Sequence, residues 1–205
     1  MKIGSHNSLT YATPRKWWMR IFAWAARCQE ITVEEQFNMG IRLFDFRYKI
    51  NKDDLPTYAH GIIEYDMPID EPLEFLNGLA TKDDPIYIRI LQENRPDEHV
   101  EEFIKWCEEI QAKYPNLIFF CGRNKYNWKI VYDFPANPGP TFLDKYSSHN
   151  QEKYPVTGTY LDDLYPKLYA LINNRKNVKA GTDREFLMID FISTGQYNRL
   201  VLLFN

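Results

Sequence analysis

Gly40-Ile-Arg-Leu-Phe-Asp-Phe-Arg-Tyr, residues 40–48, reads as a strand that ends in chemistry. After Gly40, Ile41, Leu43, Asp45 and Arg47 fall on one side. Arg42, Phe44, Phe46 and Tyr48 fall on the other, the alternation of extended backbone. A carboxylate and a guanidinium thus project from one face of an otherwise apolar run. Two histidines flank it: His6 in Ile-Gly-Ser-His-Asn-Ser (3–8) and His60 in Tyr-Ala-His-Gly (58–61). Two imidazoles and an arginine are a minimal kit for breaking a phosphodiester. One imidazole takes a proton, the other gives one, and the guanidinium holds the charged phosphate between them.

Outward from that strand the sequence continues an α/β pattern. Lys2–Gly4 reads as a short strand entering the His6 loop. Arg15–Gln29 reads as a helix beginning just after Pro14, near proline's preferred place in a first turn. Thr32 is an N-cap with Glu35 three residues on, a capping box, and Gly40 ends that second helix. Asn51–Leu55 is a turn cluster and Pro56–His60 a returning strand. Glu71–Lys82 and Pro96–Tyr114 read as helices, Pro85–Gln92 and Leu117–Cys121 as strands. Farther on, a strand is expected at Trp128–Asp133, a loop at Pro135–Pro140, a helix at Asp162–Asn173 and an apolar strand at Glu185–Ile192. For Asn198–Phe204, periodicity leaves helix and strand open.

Apolar strands alternating with amphipathic helices imply parallel strands covered on both faces. In such sheets and barrels, reactive side chains gather at the carboxyl ends of strands. His6, Asp45 with Arg47, Glu93 and Asp190 all fall at or near such ends. A full eight-unit barrel takes about 250 residues, so a barrel in this chain has to be trimmed.

At 205 residues the chain is expected to form a single domain, 1–205, with a core large enough to fold without staples. Aromatic residues make up 16%, which suits a well-filled core. The net charge is −3 with both signs interspersed, so there is no basic excess and nucleic acid is not an expected partner. No protein partner is inferred. Cys28, Cys107 and Cys121 are odd in number, lack metal-type spacing and read as reduced, buried thiols. No stretch approaches the roughly 20 apolar residues that span a bilayer. No signal peptide precedes the first strand. A cytoplasmic or peripheral-membrane location is therefore expected, with export by another route left open.

Gly4-Ser-His-Asn-Ser, Ala26-Arg-Cys-Gln followed by Ile31-Thr-Val-Glu-Glu-Gln, Gly40-Ile-Arg-Leu-Phe-Asp-Phe-Arg and Ala59-His-Gly occur in order over residues 3–61. This set resembles the catalytic X region of phosphatidylinositol-specific phospholipase C, in its bacterial-type, metal-independent branch. Beyond residue 61 the likeness is looser. Leu143-Asp-Lys-Tyr is similar to a family segment whose Asp and Tyr contact the inositol ring, which makes Asp144 and Tyr146 substrate contacts by resemblance. Met188-Ile-Asp-Phe-Ile-Ser-Thr-Gly is similar to the last barrel strand. The resemblance implies the fold class: α/β, a trimmed, distorted TIM-type (β/α) barrel. It implies a reaction as well. The inositol 2-hydroxyl attacks its own 1-phosphate and expels diacylglycerol, and water then opens the cyclic phosphate in some members.

That chemistry needs a base for the hydroxyl and an acid for the leaving alkoxide, and imidazole serves both because its pKa of about 6.5 lies near working pH. His6 is assigned as base and His60 as acid. His60 is expected to be held cationic by a neighbouring carboxylate and His6 to be neutral, with Asp45 and Asp190 orienting and tuning them. Arg47 is expected on the phosphate, since its planar fork matches phosphate oxygens. Asn7, Arg89 and Glu93 are further substrate-site residues, although Arg89 and Glu93 also read as a buried pair. His99 and His149 sit in polar surroundings and read as solvated.

The calcium-dependent branch of the family carries a carboxylate at the Arg47 position, so no metal and no cofactor are expected here. Asn7 departs from that reading, because metal-independent members carry Asp there and calcium-dependent members use Asn as a ligand. Asn7, Asp45 and Glu93 together offer three oxygens, which keeps calcium as the alternative.

In Arg15–Gln29, Lys16, Arg20 and Arg27 share one helical face, with Trp17, Trp18, Ile21, Phe22 and Trp24 over much of the rest. Basic charge beside tryptophan suits peripheral contact with an anionic membrane through Trp17 and Trp18. The plain alternative is a helix packed on the sheet. The expected activity is a phosphodiesterase acting on phosphatidylinositol or a related inositol phosphodiester. A glycerophosphodiester-type phosphodiesterase is a second reading, disfavoured because that family opens His-Arg-Gly where this chain has His-Asn-Ser. A lipid- or phosphate-binding module with weak or lost turnover is the third.

Overall fold

The computed structural model describes residues 2–50, 55–93, 98–121, 141–146, 167 and 185–204. Its elements run β1 (Lys2–Ser5), α1 (Trp17–Ala26), α2 (Val33–Met39), β2 (Leu43–Ile50), β3 (Pro56–His60), β4 (Ile63–Glu64) and α3 (Asp70–Leu79). There follow β5 (Ile86–Gln92), α4 (Val100–Lys113), β6 (Leu117–Cys121), β7 (Thr141–Tyr146), β8 (Glu185–Ile189) and α5 (Thr194–Phe204). The expected strand at Trp128–Asp133 and loop at Pro135–Pro140 lie outside the described residues. So does most of the helix expected at Asp162–Asn173.

Local signals account for the boundaries of α2. Thr32 accepts from the Glu35 backbone N–H, and the Glu35 carboxylate accepts in return from the Thr32 N–H at 2.7 Å. Gly40 then leaves the helix at φ 112°, a conformation that glycine adopts without strain. A side chain at Gly40 would collide with the ring and hydroxyl of Tyr197, which α5 brings against it. Asn198–Phe204, ambiguous from periodicity, belongs to α5. The helix begins earlier, at Thr194, and packs Tyr197 and Val201 on the core.

Among the described residues, eight strands form one sheet. Parallel pairing runs in the order β7-β8-β1-β2-β5-β6, and the hairpin of β3 and β4 continues antiparallel from the far end of β2. Strand β2 thus borders β1 near its start and β3 near its finish, with β5 along its other edge. The expected closed barrel is not found among the described residues: β6 and β7 are open edges, and no pairing joins them.

Helices cover one face of the sheet. Phe44, Phe46 and Tyr48 of β2 and Ile86, Ile88 and Ile90 of β5 join Met19, Val33, Leu73, Leu76, Phe103 and Ile110 in one buried cluster. The opposite face carries a small second cluster, Leu43 and Met188 with Tyr87 beside them. A Cβ at Gly4 would lie 2.6 Å from the Met188 sulfur, so only glycine lets β1 approach that inner cluster. Asp45 and Arg89 share this inner side, which is why both faces of β2 are almost wholly buried. Among the described residues the helices therefore lie on one face, where the sequence suggested both.

Helix α1 is shorter than expected. It buries Met19 and Ala23 and leaves Trp17 75%, Ile21 57%, Phe22 53% and Trp24 48% exposed. No helix among the described residues is long and apolar enough to cross a membrane.

Candidate functional site

Parallel register builds the site. Strands β1 and β8 pair as far as Ser5 with Ile189, so the next residues, His6 and Asp190, meet just beyond the carboxyl ends. His6 Nδ1 lies 2.6 Å from Asp190 Oδ1, and both side chains are buried. A carboxylate accepts only from a proton-bearing nitrogen, so Nδ1 carries the ring proton and Nε2 keeps its lone pair. Arg47 Nη2 donates to that Nε2 at 2.6 Å.

The backbone reverses immediately after each partner. Asn7 has φ 46° and Phe191 φ 50°. Asparagine tolerates the left-handed region, whereas phenylalanine there costs about 1–3 kcal/mol. The fully buried Gln29 ties the two turns together. Its amide nitrogen donates to His6 O at 2.9 Å and to Ile189 O at 2.7 Å, and its amide oxygen accepts from the Ile192 N–H at 3.2 Å. Sequence reasoning did not single out Gln29. Its place directly after Cys28, inside the matched Ala26-Arg-Cys-Gln segment, was the available signal.

Strand β2 contributes Asp45 and Arg47. Asp45 Oδ2 accepts from the Asn7 backbone N–H at 3.1 Å, Arg47 Nε at 3.1 Å and Arg47 Nη2 at 3.0 Å. Arg89, opposite Asp45 in β5, brings Nε to 3.7 Å from Asp45 Oδ1. Arg47 Nη1 donates to Glu93 Oε1 at 2.6 Å, while Glu93 Oε2 accepts from the Gly61 N–H at 3.1 Å. His60 ends β3 next to that glycine. Its Nδ1 donates to Ala26 O, the last residue of α1, at 2.6 Å, and its Nε2 lies 3.3 Å from Asn7 Nδ2. Asn7 thus joins the two histidine segments.

The charges hold each other in place. Burial alone would raise the Asp45 carboxyl, but Arg47, then Arg89 and His6, outweigh it and hold Asp45 well below the usual carboxylate range. Burial would likewise raise Glu93; Arg47 and His60 draw it down to about 2. Desolvation would favour losing the Arg47 proton, and Asp45 and Glu93 reverse that. Arg47 is therefore a fixed cation between two fixed anions.

These contacts give each expected residue its neighbours. Asp45 and Asp190 both address His6, Asp45 Oδ2 lying 3.8 Å from its Nε2. Glu93 is a carboxylate whose charge acts on His60. Arg89 faces Asp45, and Glu93 pairs with Arg47. Tyr146 lies in register with Ile189, which puts β7 at the same end of the sheet. The side chains of Asp144 and Tyr146 lie outside the described residues, as does His149. His99 is exposed at the start of α4. The calcium alternative fits poorly, because Asp45 and Glu93, two of its three oxygen donors, are engaged by a guanidinium that opposes a cation there.

Cys28 is fully buried beside this network, its sulfur 3.6 Å from Asn7 Nδ2 and 3.9 Å from His60 Nδ1. Burial and the Asp190 charge push its thiol well up. Cys28, expected as a reduced, buried thiol, is free and buried, and it lies against the site.

An open parallel sheet carrying a histidine–aspartate pair and a caged arginine at its carboxyl edge defines an α/β protein with a centre suited to acid–base work on an anion. No protein-family model and no curated sequence matches the chain. Solved structures do. Phosphatidylinositol-specific phospholipase C from Listeria monocytogenes is similar at a TM-score of 0.60 and 15% identity, over 98% of this chain and 92% of that one. A variant of the Staphylococcus aureus phosphatidylinositol-specific phospholipase C is similar at 0.55 and 13%, over 93% and 84%. A second S. aureus variant is similar at 0.52 and 12%, over 93% and 85%. The chain has the fold of these bacterial phospholipases C.

Proposed function

We propose that this protein is a phosphodiesterase that cleaves phosphatidylinositol or a related inositol phosphodiester by attack of the inositol 2-hydroxyl. The single observation that carries the reading is His6, bonded through one nitrogen to Asp190 and through the other to Arg47, in a chain that shares the fold of phosphatidylinositol-specific phospholipases C. The sheet is then the larger part of a trimmed, distorted barrel.

His6 acts as base. Asp190 fixes the tautomer that leaves Nε2 to take the hydroxyl proton, and it stabilises the imidazolium that forms. Arg47 leaves Nε2 for the phosphate, keeping its bonds to Asp45 and Glu93, and its charge meets the charge that develops in the transition state. His60 acts as acid. Its Nδ1–H is held by Ala26 O, so Nε2 is the nitrogen that gives up a proton to the leaving alkoxide. Glu93 favours the cationic ring. Asn7 turns its amide oxygen to Nε2–H in that state, since amide orientation follows the hydrogen-bond network. No metal enters the reaction. Asp144 and Tyr146 contact the inositol ring.

Peripheral membrane contact runs through Trp17 and Trp18. In support, the exposed side of α1 is apolar and aromatic beside exposed Lys16 and Arg20, and the helix ends on the carbonyl that holds His60.

Phosphorus NMR of phosphatidylinositol vesicles incubated with the protein tests the reading. A cyclic inositol phosphate resonance is expected, absent with His6→Ala and with His60→Ala. Vesicle binding without any new resonance would leave a binding module in its place.

A further inference from the structure

We propose that His6, Cys28 and Asp190 form a capture site for a soft divalent cation of the zinc class, and that occupation of this site switches the centre off. One donor atom from each residue, an imidazole nitrogen, a thiol sulfur and a carboxylate oxygen, lies within 4.8 Å of the other two, and all three residues are buried. Nitrogen, sulfur and oxygen around one point are the donors that zinc takes.

Asn7 is a second, independent observation. It is 2% exposed, and its Oδ1 accepts no hydrogen bond among the described residues. The other end of the same amide lies 3.6 Å from the Cys28 sulfur. Turning the amide would bring its oxygen to that side, where a cation bound to the sulfur gives it a partner and completes four ligands.

The charges balance. A Cys28 thiolate and the Asp190 carboxylate together neutralise the ion, which a buried site requires. Binding releases the thiol proton to solvent. Zinc bonds of about 2.0–2.3 Å set tetrahedral donor atoms about 3.5 Å apart. The His6–Asp190 hydrogen bond therefore opens and Cys28 moves inward, each by about an ångström.

The ion takes His6 Nδ1, because Arg47 covers Nε2. The ring proton passes from Nδ1 to Nε2. Nε2 then neither accepts from Arg47 nor takes a proton from a hydroxyl, so the metal-bound protein lacks its base. The switching rests on the reading of His6 as base; the binding does not.

Cobalt(II) is the probe, since its bond to thiolate absorbs in the near ultraviolet and bonds to nitrogen and oxygen alone do not. Titration of the metal-free protein is expected to raise that absorption in the wild type and in Cys107→Ser, and not in Cys28→Ser or Cys28→Ala, with folding checked by circular dichroism. Zinc is expected to abolish the absorption and to inhibit phosphodiester cleavage, half-inhibition needing at least tenfold more zinc in Cys28→Ser. No thiolate absorption in the wild type, or the same absorption in Cys28→Ser, overturns the site. The expected absorption with full cleavage under saturating zinc overturns the switching. The expected absorption in a protein that never cleaves leaves the metal site standing and overturns the phosphodiesterase reading instead.

Discussion

His6 Nδ1 and Asp190 Oδ1 lie 2.6 Å apart although 184 residues separate them in sequence. In the proposed reaction that carboxylate selects the tautomer and stabilises the imidazolium, so Asp190→Asn is expected to lower kcat by about 10²- to 10⁴-fold with a smaller effect on KM. Steady-state cleavage of a soluble inositol phosphodiester measures both. An unchanged kcat would remove Asp190 from the chemistry.

Arg47 is a counter-charge of the buried Asp45 and the half-buried Glu93. Arg47→Met leaves Glu93 without its guanidinium and Asp45 with Arg89 alone, and a loss of about 3–5 kcal/mol in urea unfolding is expected. Arg47→Lys restores the charge without the fork. It should recover part of that stability while turnover stays about 10²-fold down.

Glu93 titrates at about 2 in the folded chain, against an ordinary 4.5. A depressed carboxyl contributes stability that is fully present above pH 4.5 and is lost as pH falls through 2. Denaturant unfolding at stepped pH should therefore show a smaller loss across that window in Glu93→Gln than in the wild type. Parallel curves would mean that some other group titrates there.

Gly40→Ala forces a β-carbon into a left-handed backbone and against Tyr197. The conformational part costs about 1–2 kcal/mol, and the collision adds to it. In a Tyr197→Ala background the added part should vanish, a coupling that a double-mutant cycle reads directly. Strict additivity would show that the loop moves aside.

Exposed tryptophans on α1 are expected to carry vesicle attachment. Trp17→Ala/Trp18→Ala should reduce co-sedimentation with anionic vesicles about tenfold or more while leaving cleavage of a soluble diester intact. Equal sedimentation would assign those rings to another task.

Local chemistry was readable where it is local. The Thr32–Glu35 box, the Gly40 stop and the alternation of residues 41–48 each occupy a few consecutive residues, and all recur in the structure, β2 merely starting later and running on to Ile50. Strand β7 escaped notice because Asp144 and Lys145 interrupt any apolar alternation; its pairing with β8 comes from tertiary contact. The two-residue β4 is too short for a period. The contacts of Arg47 with Asp45 and Glu93 could be read from their places at strand ends; which carboxylate meets which histidine could not. Nothing local says that Asp45 and Asp190 both turn to His6 and leave His60 to Glu93, since register across four strands decides it. The place of Cys28 against the site is not local either, since its neighbours come from residues 7, 60 and 190.

The staple formed by Gln29 has a consequence for biosynthesis. It fastens the turn after β1 to the turn after β8, and β1 itself sits between β2 and β8. A nascent chain that has not yet delivered residue 190 holds His6 without the carboxylate that its Nδ1 meets. Fragments that end before β8 therefore lack one wall of the site, and the His6–Asp190 pair forms only once the last strand is made.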